Sequence, residues 1–417
     1  MMSVVTDSPV HSSSSDDFIA FLDAALDANS PDASSDKEDG NQDEFESVRI
    51  KRRKFESVEE TEGSTSEGTK ERNLEASVEV DVCTHPGSFG HMCIRCGQKL
   101  DGDSGVTFGY IHKGLRLQDE EISRLRDTDM KNLLLRKKLN LVLDLDHTLL
   151  NSTHLVHLSS EELHLHTQTD SLGDVSKGSL FKLEHMHMMT KLRPFVRTFL
   201  KEANEMFEMY IYTMGDRPYA LEMAKLLDPQ GEYFNAKVIS RDDGTQKHQK
   251  GLDVVLGQDS AVLILDDTEH FGFNCKSLAE LKSDEDETDG ALSKILKVLK
   301  QVHCTFFDKL QDDLVVRDVR QVLSSLRSEV LNGCVIVFSR IFHGALPALR
   351  KMAEQMGATC LTELEPSVTH VVATDAGTEK SRWAVKENKF LVHPRWIEAA
   401  NYFWQKQPEE NFFLKKK

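Results

Sequence analysis

Two aspartates spaced by two, Asp144 and Asp146, follow the apolar run at 139–143, and Thr148 comes next. Three later apolar runs also end in polar groups. Thr213 follows residues 209–212, Arg241 follows 237–240, and Asp266 and Asp267 end 261–265, with Lys250 just ahead. Side chains alternate along a strand, so Asp144 and Asp146 point the same way if their run is extended. Two like charges that close are costly unless a cation or a shared proton offsets them. Carboxylates from two strand ends suit Mg²⁺, a hard ion that takes oxygen ligands and keeps waters. A hydroxyl, a lysine and an arginine converging there suit a phosphoryl group. One carboxylate can attack phosphorus to form an aspartyl-phosphate. A second can protonate the leaving oxygen and later deprotonate the hydrolytic water. Metal and lysine would reduce the repulsion between anionic nucleophile and anionic substrate. An isolated Asp-x-Asp also suits a helix cap or turn after a core strand. The recurrence of polar groups at successive run ends weighs against that reading.

The elements that must position these groups alternate. The run at 139–143 has no helical period and reads as a buried strand. Helical spacing at 116–138 leads into it, and helical spacing returns at 193–206 and 219–227, where Asp228-Pro229 stops it. Strands expected at 209–214, 237–240 and 261–267 complete a parallel, right-handed α/β sheet over 139–268. In such sheets the ligand crevice lies at the carboxyl ends of the strands. Between the first strand and Arg193 lie His154, His157, His164, His166, His185 and His187. The pairs 164/166 and 185/187 have strand spacing, which predicts a two-stranded excursion, polar on one side, with no metal required. After an acidic break at 283–290, helical patterns follow at 291–302 and 312–326. The last ~90 residues restart as a second small α/β unit. Its strands are expected at 335–338, 369–373 and 390–392, and its helices at 348–356, 382–387 and 394–400.

Length and composition set the remaining bounds. The chain has 417 residues and a net charge of −18, which allows about three domains at ~150 residues each and does not favour nucleic acid as a direct ligand. No apolar run approaches the ~18 residues of a membrane span, and no signal-peptide pattern opens the chain. Residues 16–46 hold eleven acidic side chains against Lys37, the composition of a disordered tail. Within it, Phe18, Ile19, Phe21, Leu22 and Leu26 share one helical face, either a partner-binding stretch or stray apolar residues. Lys51, Arg52, Arg53 and Lys54 form a compact basic run that reads as a nuclear localisation signal, so the nucleus is the expected compartment. Seven cysteines, an odd number, argue for reduced thiols and not for a disulfide framework. Cys83, His85, Cys93 and Cys96 could supply a closed Cys3His zinc site, or be incidental.

At this point a resemblance is visible. Asp144-Leu145-Asp146-His147-Thr148 resembles the Asp-x-Asp-x-Thr motif of haloacid-dehalogenase-type phosphatases. With Arg193, Thr213, Asp228, Arg241, Lys250, Asp266 and Asp267, the chain resembles the FCP/SCP family of RNA polymerase II C-terminal-domain phosphatases. The last ~90 residues look like a BRCT domain, through Gly357-Ala358, Thr369 to Val372 and Trp396. That order resembles the FCP branch, plant phosphatase-like members in particular.

The resemblance implies a Rossmannoid parallel-sheet phosphatase domain at 136–305 and a BRCT domain at 328–417. A disordered acidic tail (1–80), a knuckle and lead-in helix (81–135) and a helical linker (306–327) account for the rest. Asp144 would be the nucleophile and Asp146 the general acid and base. Thr213 and Lys250 would bind phosphoryl oxygens. Asp267, Asp144 and the backbone carbonyl of Asp146 would ligate Mg²⁺, for which Mn²⁺ or Co²⁺ could substitute. Asp266 would orient Lys250 or a metal-bound water, while Thr148, Arg193, Asp228 and Arg241 would support the site. The substrate would be phosphoserine in the polymerase heptads, and the absence of a helical cap pattern predicts an open cleft. Ser339 and Lys380 could bind phosphoserine in the BRCT unit, which otherwise packs or meets general transcription factors. The alternatives are a non-catalytic phosphopeptide scaffold, disfavoured by the intact Asp146, and a small-molecule phosphatase, disfavoured by the missing cap.

Overall fold

The structure is a computed structural model that describes residues 83–101, 104–160, 162–246, 249–266, 286–308 and 317–414. The acidic tail with Lys51 to Lys54, and Asp267, lie outside the described residues.

The chain first forms an antiparallel sheet that sequence reading did not anticipate. Its strands are β1 (Gly87–Phe89), β2 (Met92–Cys93), β3 (Val106–Thr107) and β4 (Leu115–Leu117), in the order β2-β1-β4-β3. Helix α1 (Asp119–Leu135) follows. Asp119, Glu120 and Glu121 occupy its first turn, where acids complement the helix dipole. Its Ile122, Leu125, Met130, Leu133 and Leu134 are buried.

The parallel sheet matches the period read from the sequence. Strand β5 (Leu139–Leu143) is buried along its whole length. Strand β6 (Leu150–His154) starts the excursion, which continues through β7 (Leu180–Leu183) and β8 (Met188–Leu192). Helix α2 (Val196–Asn204) leads to β9 (Phe207–Tyr212), and α3 (Arg217–Leu227) leads to β10 (Val238–Ile239) and then β11 (Val262–Leu265). The order is β10-β9-β5-β11, with every neighbouring pair parallel. Alternation along β5 divides the core between the two faces. Leu139, Leu141 and Leu143 pack with α2, α3 and helix α4 (Ala291–Asp308). Val142 packs on the other face with Leu115, Leu117, Ile122 and Leu125 of the antiparallel sheet and α1. Covering both faces is what makes a parallel sheet stable.

The excursion differs from its expected form. It is a three-stranded antiparallel sheet in the order β6-β8-β7, and the histidines meant to lie on strands lie on turns. His164 and His166 belong to the 3-10 helix Leu163–Thr167, and His185 to the 3-10 helix Glu184–Met186. His187 is left-handed at φ 51°. Alternating residues mimic a strand, but five residues in one tight helical turn show the same i, i+2 pattern.

Helix α5 (Val319–Glu329) precedes the last unit. That unit contains β12 (Val335–Ser339), α6 (Leu346–Gln355), β13 (Thr359–Leu361), β14 (His370–Ala373), α7 (Glu379–Lys386), β15 (Phe390–Val392) and α8 (Arg395–Phe403). Its sheet is parallel, in the order β13-β12-β14-β15. Strand β13 was not read from the sequence. Trp396 is fully buried and stacks on His370 at 4.6 Å. Gly357 needs its hydrogen side chain, because it is left-handed at φ +89° and a Cβ would meet the Ser328 carbonyl oxygen at 1.8 Å. The unit is tied to helix α5 by Arg327, which donates to Asn401 Oδ1 at 2.7 Å.

Candidate active site

Sheet register sets four strand ends side by side. Ile239 pairs with Tyr212, Ile211 with Leu143, and Leu143 with Leu265. The residues that follow these ends, Arg241, Thr213, Asp144 and Asp266, therefore line one rim of the sheet.

Asp144 is 6 % exposed, and its amide donates to the Leu265 carbonyl at 2.9 Å, which extends the β5–β11 pairing by one residue. Lys250 Nζ donates to Asp144 Oδ1 at 2.6 Å and to Asp266 Oδ1 at 3.0 Å. The Thr148 hydroxyl donates to Asp144 Oδ2 at 3.4 Å. Burial lifts the Asp144 carboxyl to about 6, even though Lys250 pulls it down. Burial pulls the Lys250 ammonium down, but its hydrogen bond and attraction to Asp144 outweigh that and raise it. Lys250 therefore stays charged, and one ammonium faces the carboxylates of Asp144 and Asp266.

A tight turn links the two aspartates to β6. His147 is left-handed at φ 62°, and the amides of Thr148, Leu149 and Leu150 all point to the Leu145 carbonyl. Arg193 braces this turn, because its Nη1 donates to the carbonyls of His147 and Thr148, each at 3.2 Å. Its side chain thus shapes the loop through backbone contacts.

Asp146 has a partner that sequence reading missed. The Tyr219 hydroxyl donates to Asp146 Oδ1 at 2.5 Å and lies 2.9 Å from Ser152 Oγ. Ser152 in turn lies 2.9 Å from Thr190 Oγ1 on the neighbouring strand. Burial, and then the Asp146 charge, raise the Tyr219 phenol well above its ordinary value, so it remains a donor. Tyr219 sits in the first turn of α3, whose N-cap Asp216 accepts from the Tyr219 amide at 3.0 Å. The signal available in the sequence was an Asp N-cap three residues before a tyrosine, just after the Thr213 strand.

Thr213 is fully buried, and its hydroxyl accepts from the Gly215 amide at 3.0 Å. The Arg241 amide donates to the Gly215 carbonyl at 3.0 Å, joining the two strand ends. The Arg241 guanidinium itself is exposed and approaches Asp242 at 4.0 Å. Asp228, expected to support the site, has its carboxylate engaged by the turn that follows α3. Its carboxylate accepts from the amides of Glu232, Tyr233 and Phe234 at 2.8, 2.7 and 3.1 Å. It organises the turn after α3, a local capping task that Asp performs in many contexts.

The donor set fits a hard divalent cation. Asp144 and Asp146 offer oxygens only, and the carboxylates of Asp144, Asp146 and Asp266 outnumber the Lys250 ammonium at the rim. Asp267 lies outside the described residues.

A second cluster lies before the core. The ligand atoms of Cys83, His85, Cys93 and Cys96 all lie within 4.8 Å of one another. Burial raises the Cys93 thiol, but hydrogen bonds from the Cys96 amide, His85 and the Arg95 amide bring it down to about 6. In the last unit, Ser339 and Lys380 are both engaged within the fold. The buried Ser339 hydroxyl lies 2.8 Å from Thr378 Oγ1, which lies 2.6 Å from Ser381 Oγ. Lys380 Nζ donates to the Thr362 carbonyl at 2.6 Å.

Comparison with known proteins agrees with this architecture. Residues 139–312 match the NLI interacting factor-like phosphatase family, and residues 326–400 match the BRCA1 C Terminus (BRCT) domain. The chain is 57% identical to RNA polymerase II C-terminal domain phosphatase-like 4 of Arabidopsis thaliana, over 99% of this chain and 98% of that protein. It is 38% identical to phosphatase-like 3 of the same plant, over 72% of this chain but 27% of that much longer protein. Fission yeast Fcp1, solved bound to beryllium fluoride, shares the fold, with a TM-score of 0.54 and 22% identity over 70% of this chain and 100% of that one. A parallel sheet with paired aspartates at its rim, a BRCT unit after it, and the 57% identity over nearly the whole chain place the protein in the family of RNA polymerase II C-terminal-domain phosphatase-like proteins.

Proposed function

We propose that this protein hydrolyses phosphoserine in the heptad-repeat tail of RNA polymerase II, through an aspartyl-phosphate on Asp144, in the nucleus and with Mg²⁺. The observation that carries the chemistry is the pair of separately held aspartates. Asp144 is buried against Lys250, and Asp146 is held by Tyr219. The substrate follows from the polymerase-tail phosphatases named among the relatives. The excursion between β5 and α2 is a small three-stranded sheet with 3-10 turns, in keeping with a cleft that admits a peptide chain.

In the first half-reaction an Asp144 oxygen forms a bond to phosphorus, and the bond from phosphorus to the serine oxygen breaks. The proton of Asp146 passes to that serine oxygen. In the second, Asp146 takes a proton from water, whose oxygen attacks phosphorus and releases Asp144 and inorganic phosphate. Lys250 and the Thr213–Gly215 rim hold phosphoryl oxygens and offset their charge. Asp144 and the backbone carbonyl of Asp146, with Asp267, would hold the divalent cation, which would supply further charge neutralisation when bound.

Phosphorylated heptad peptides should release phosphate in the presence of Mg²⁺, and not after chelation. An Asp144→Asn variant should release none. Equal release by that variant would refute the mechanism, and peptide binding without release by the parent would leave only a scaffold. A fluorescent fusion with Lys51, Arg52, Arg53 and Lys54 all changed to Ala should lose nuclear accumulation.

A further inference from the structure

We propose that Cys83, His85, Cys93 and Cys96 bind one Zn²⁺ as a closed structural site that pins the antiparallel sheet onto the phosphatase core. Their four donor atoms, three sulfurs and a ring nitrogen, lie within 4.8 Å of one another. Tetrahedral zinc with Zn–S near 2.3 Å and Zn–N near 2.0 Å separates its ligand atoms by roughly 3.3–3.8 Å. Cys96 Sγ and His85 Nδ1 are 3.4 Å apart, inside that interval. The surrounding backbone is already folded for the task. The Cys93 amide donates to the Gln98 carbonyl at 2.9 Å, the Gly97 amide to the Cys93 carbonyl at 3.0 Å, and the Arg95 amide to Cys93 Sγ at 3.4 Å. Amide donation to a sulfur is the outer-shell support that tunes thiolate ligands. None of the three cysteines is in a disulfide. Thiolates and imidazole select zinc over the oxygen-seeking ion of the aspartate site, and four protein ligands leave no position for substrate.

The position of the site gives it a mechanical role. Cys93 is on β2, which pairs with β1, and β1 pairs with β4. Phe89 and Ile94 pack onto the cluster of Phe108, Leu115 and Leu117 that covers Val142, Tyr210 and Tyr212 of the parallel sheet. Through this layer, the Tyr110 hydroxyl donates to the Val254 carbonyl at 2.9 Å, four residues after Lys250. The metal therefore anchors the layer that backs the Lys250 segment.

The test uses the full chain, reduced and dialysed against zinc-free buffer with excess Mg²⁺. Elemental analysis should find one zinc per chain. Replacement by Co²⁺ should give a thiolate-to-cobalt charge-transfer band and the intense visible bands of a tetrahedral centre. Cys93→Ser/Cys96→Ser should lose both the metal and the band and melt at lower temperature. His85→Cys should keep one metal with a stronger charge-transfer band, which separates ligation from general misfolding. Two results would overturn the proposal: no zinc and no cobalt charge transfer in the parent, or parental zinc content in the double variant.

Discussion

The Tyr219 hydroxyl holds Asp146 Oδ1 at 2.5 Å from the first turn of a helix that begins just after Thr213. Asp146, the proposed general acid and base, thus takes its orientation from the neighbouring strand's helix, while Asp144, the proposed nucleophile, takes its own from Lys250. The two carboxylates share a strand end but not a partner. This division suits one group that attacks and one that moves a proton.

Tyr219→Phe removes the donor and keeps the ring. Losing the hydrogen bond that aligns Asp146 for proton transfer should lower kcat about tenfold, or ~1.4 kcal/mol, with little change in KM. Steady-state kinetics on an aryl phosphate measure it. An unchanged kcat would remove Tyr219 from the account.

Gly215→Ala should act through the same hydroxyl. A Cβ at position 215 would meet Tyr219 Cδ1 at 2.4 Å, so the ring must shift, which disturbs its 2.5 Å hydrogen bond to Asp146. The kcat should fall at least as far as in Tyr219→Phe. Because both changes break one interaction, adding Tyr219→Phe to Gly215→Ala should cost little more. Fully additive losses would contradict this.

Lys250→Met keeps the length of the side chain but leaves Asp144 and Asp266 without their shared cation. A loss of about 10²-fold in kcat is expected from removing one charge-stabilising donor. Lys250→Arg should recover little, because a planar fork does not replace a point charge seated between two carboxylates. Recovery of parental kcat by the arginine variant would argue against this seating.

Asp129 of α1 offers a pH-dependent stability test away from the site. Burial lifts its carboxyl from 3.8 to about 6, although the Asn140 amide, which donates to it at 3.1 Å, and Lys237 pull it down. The folded state therefore binds a proton more tightly than the unfolded chain. The contribution of this group is most favourable below pH 3.8 and is lost as pH rises through 6. Asp129→Asn should be more stable than the parent at pH 7, by on the order of 1–2 kcal/mol. The gap should shrink towards pH 4 in denaturant titrations.

What could be read without coordinates followed from short-range rules. An apolar run without helical period at residues 139–143 marked a buried strand ending in Asp144 and Asp146. The repeat of that pattern at Thr213, Arg241 and Asp266 implied one rim of a parallel sheet, which the register of β10-β9-β5-β11 bears out. The spacing of Cys83, His85, Cys93 and Cys96 pointed to a cluster, because ligand pairs that close leave a local trace.

Other features depended on the fold. Tyr219 meets Asp146 across 73 residues, and nothing in either neighbourhood names the other. Strands of two or three residues, such as those of the β2-β1-β4-β3 sheet, are too short to show a period. His164 and His166 followed strand spacing into a 3-10 turn because alternation alone does not separate the two. Asp228 could be matched to a motif, yet its carboxylate is spent on three amides of its own turn. Sequence determined which strand ends carry charge and chemistry. Tertiary structure decided which partner each carboxylate keeps, because hydrogen bonding and burial are set by neighbours distant along the chain.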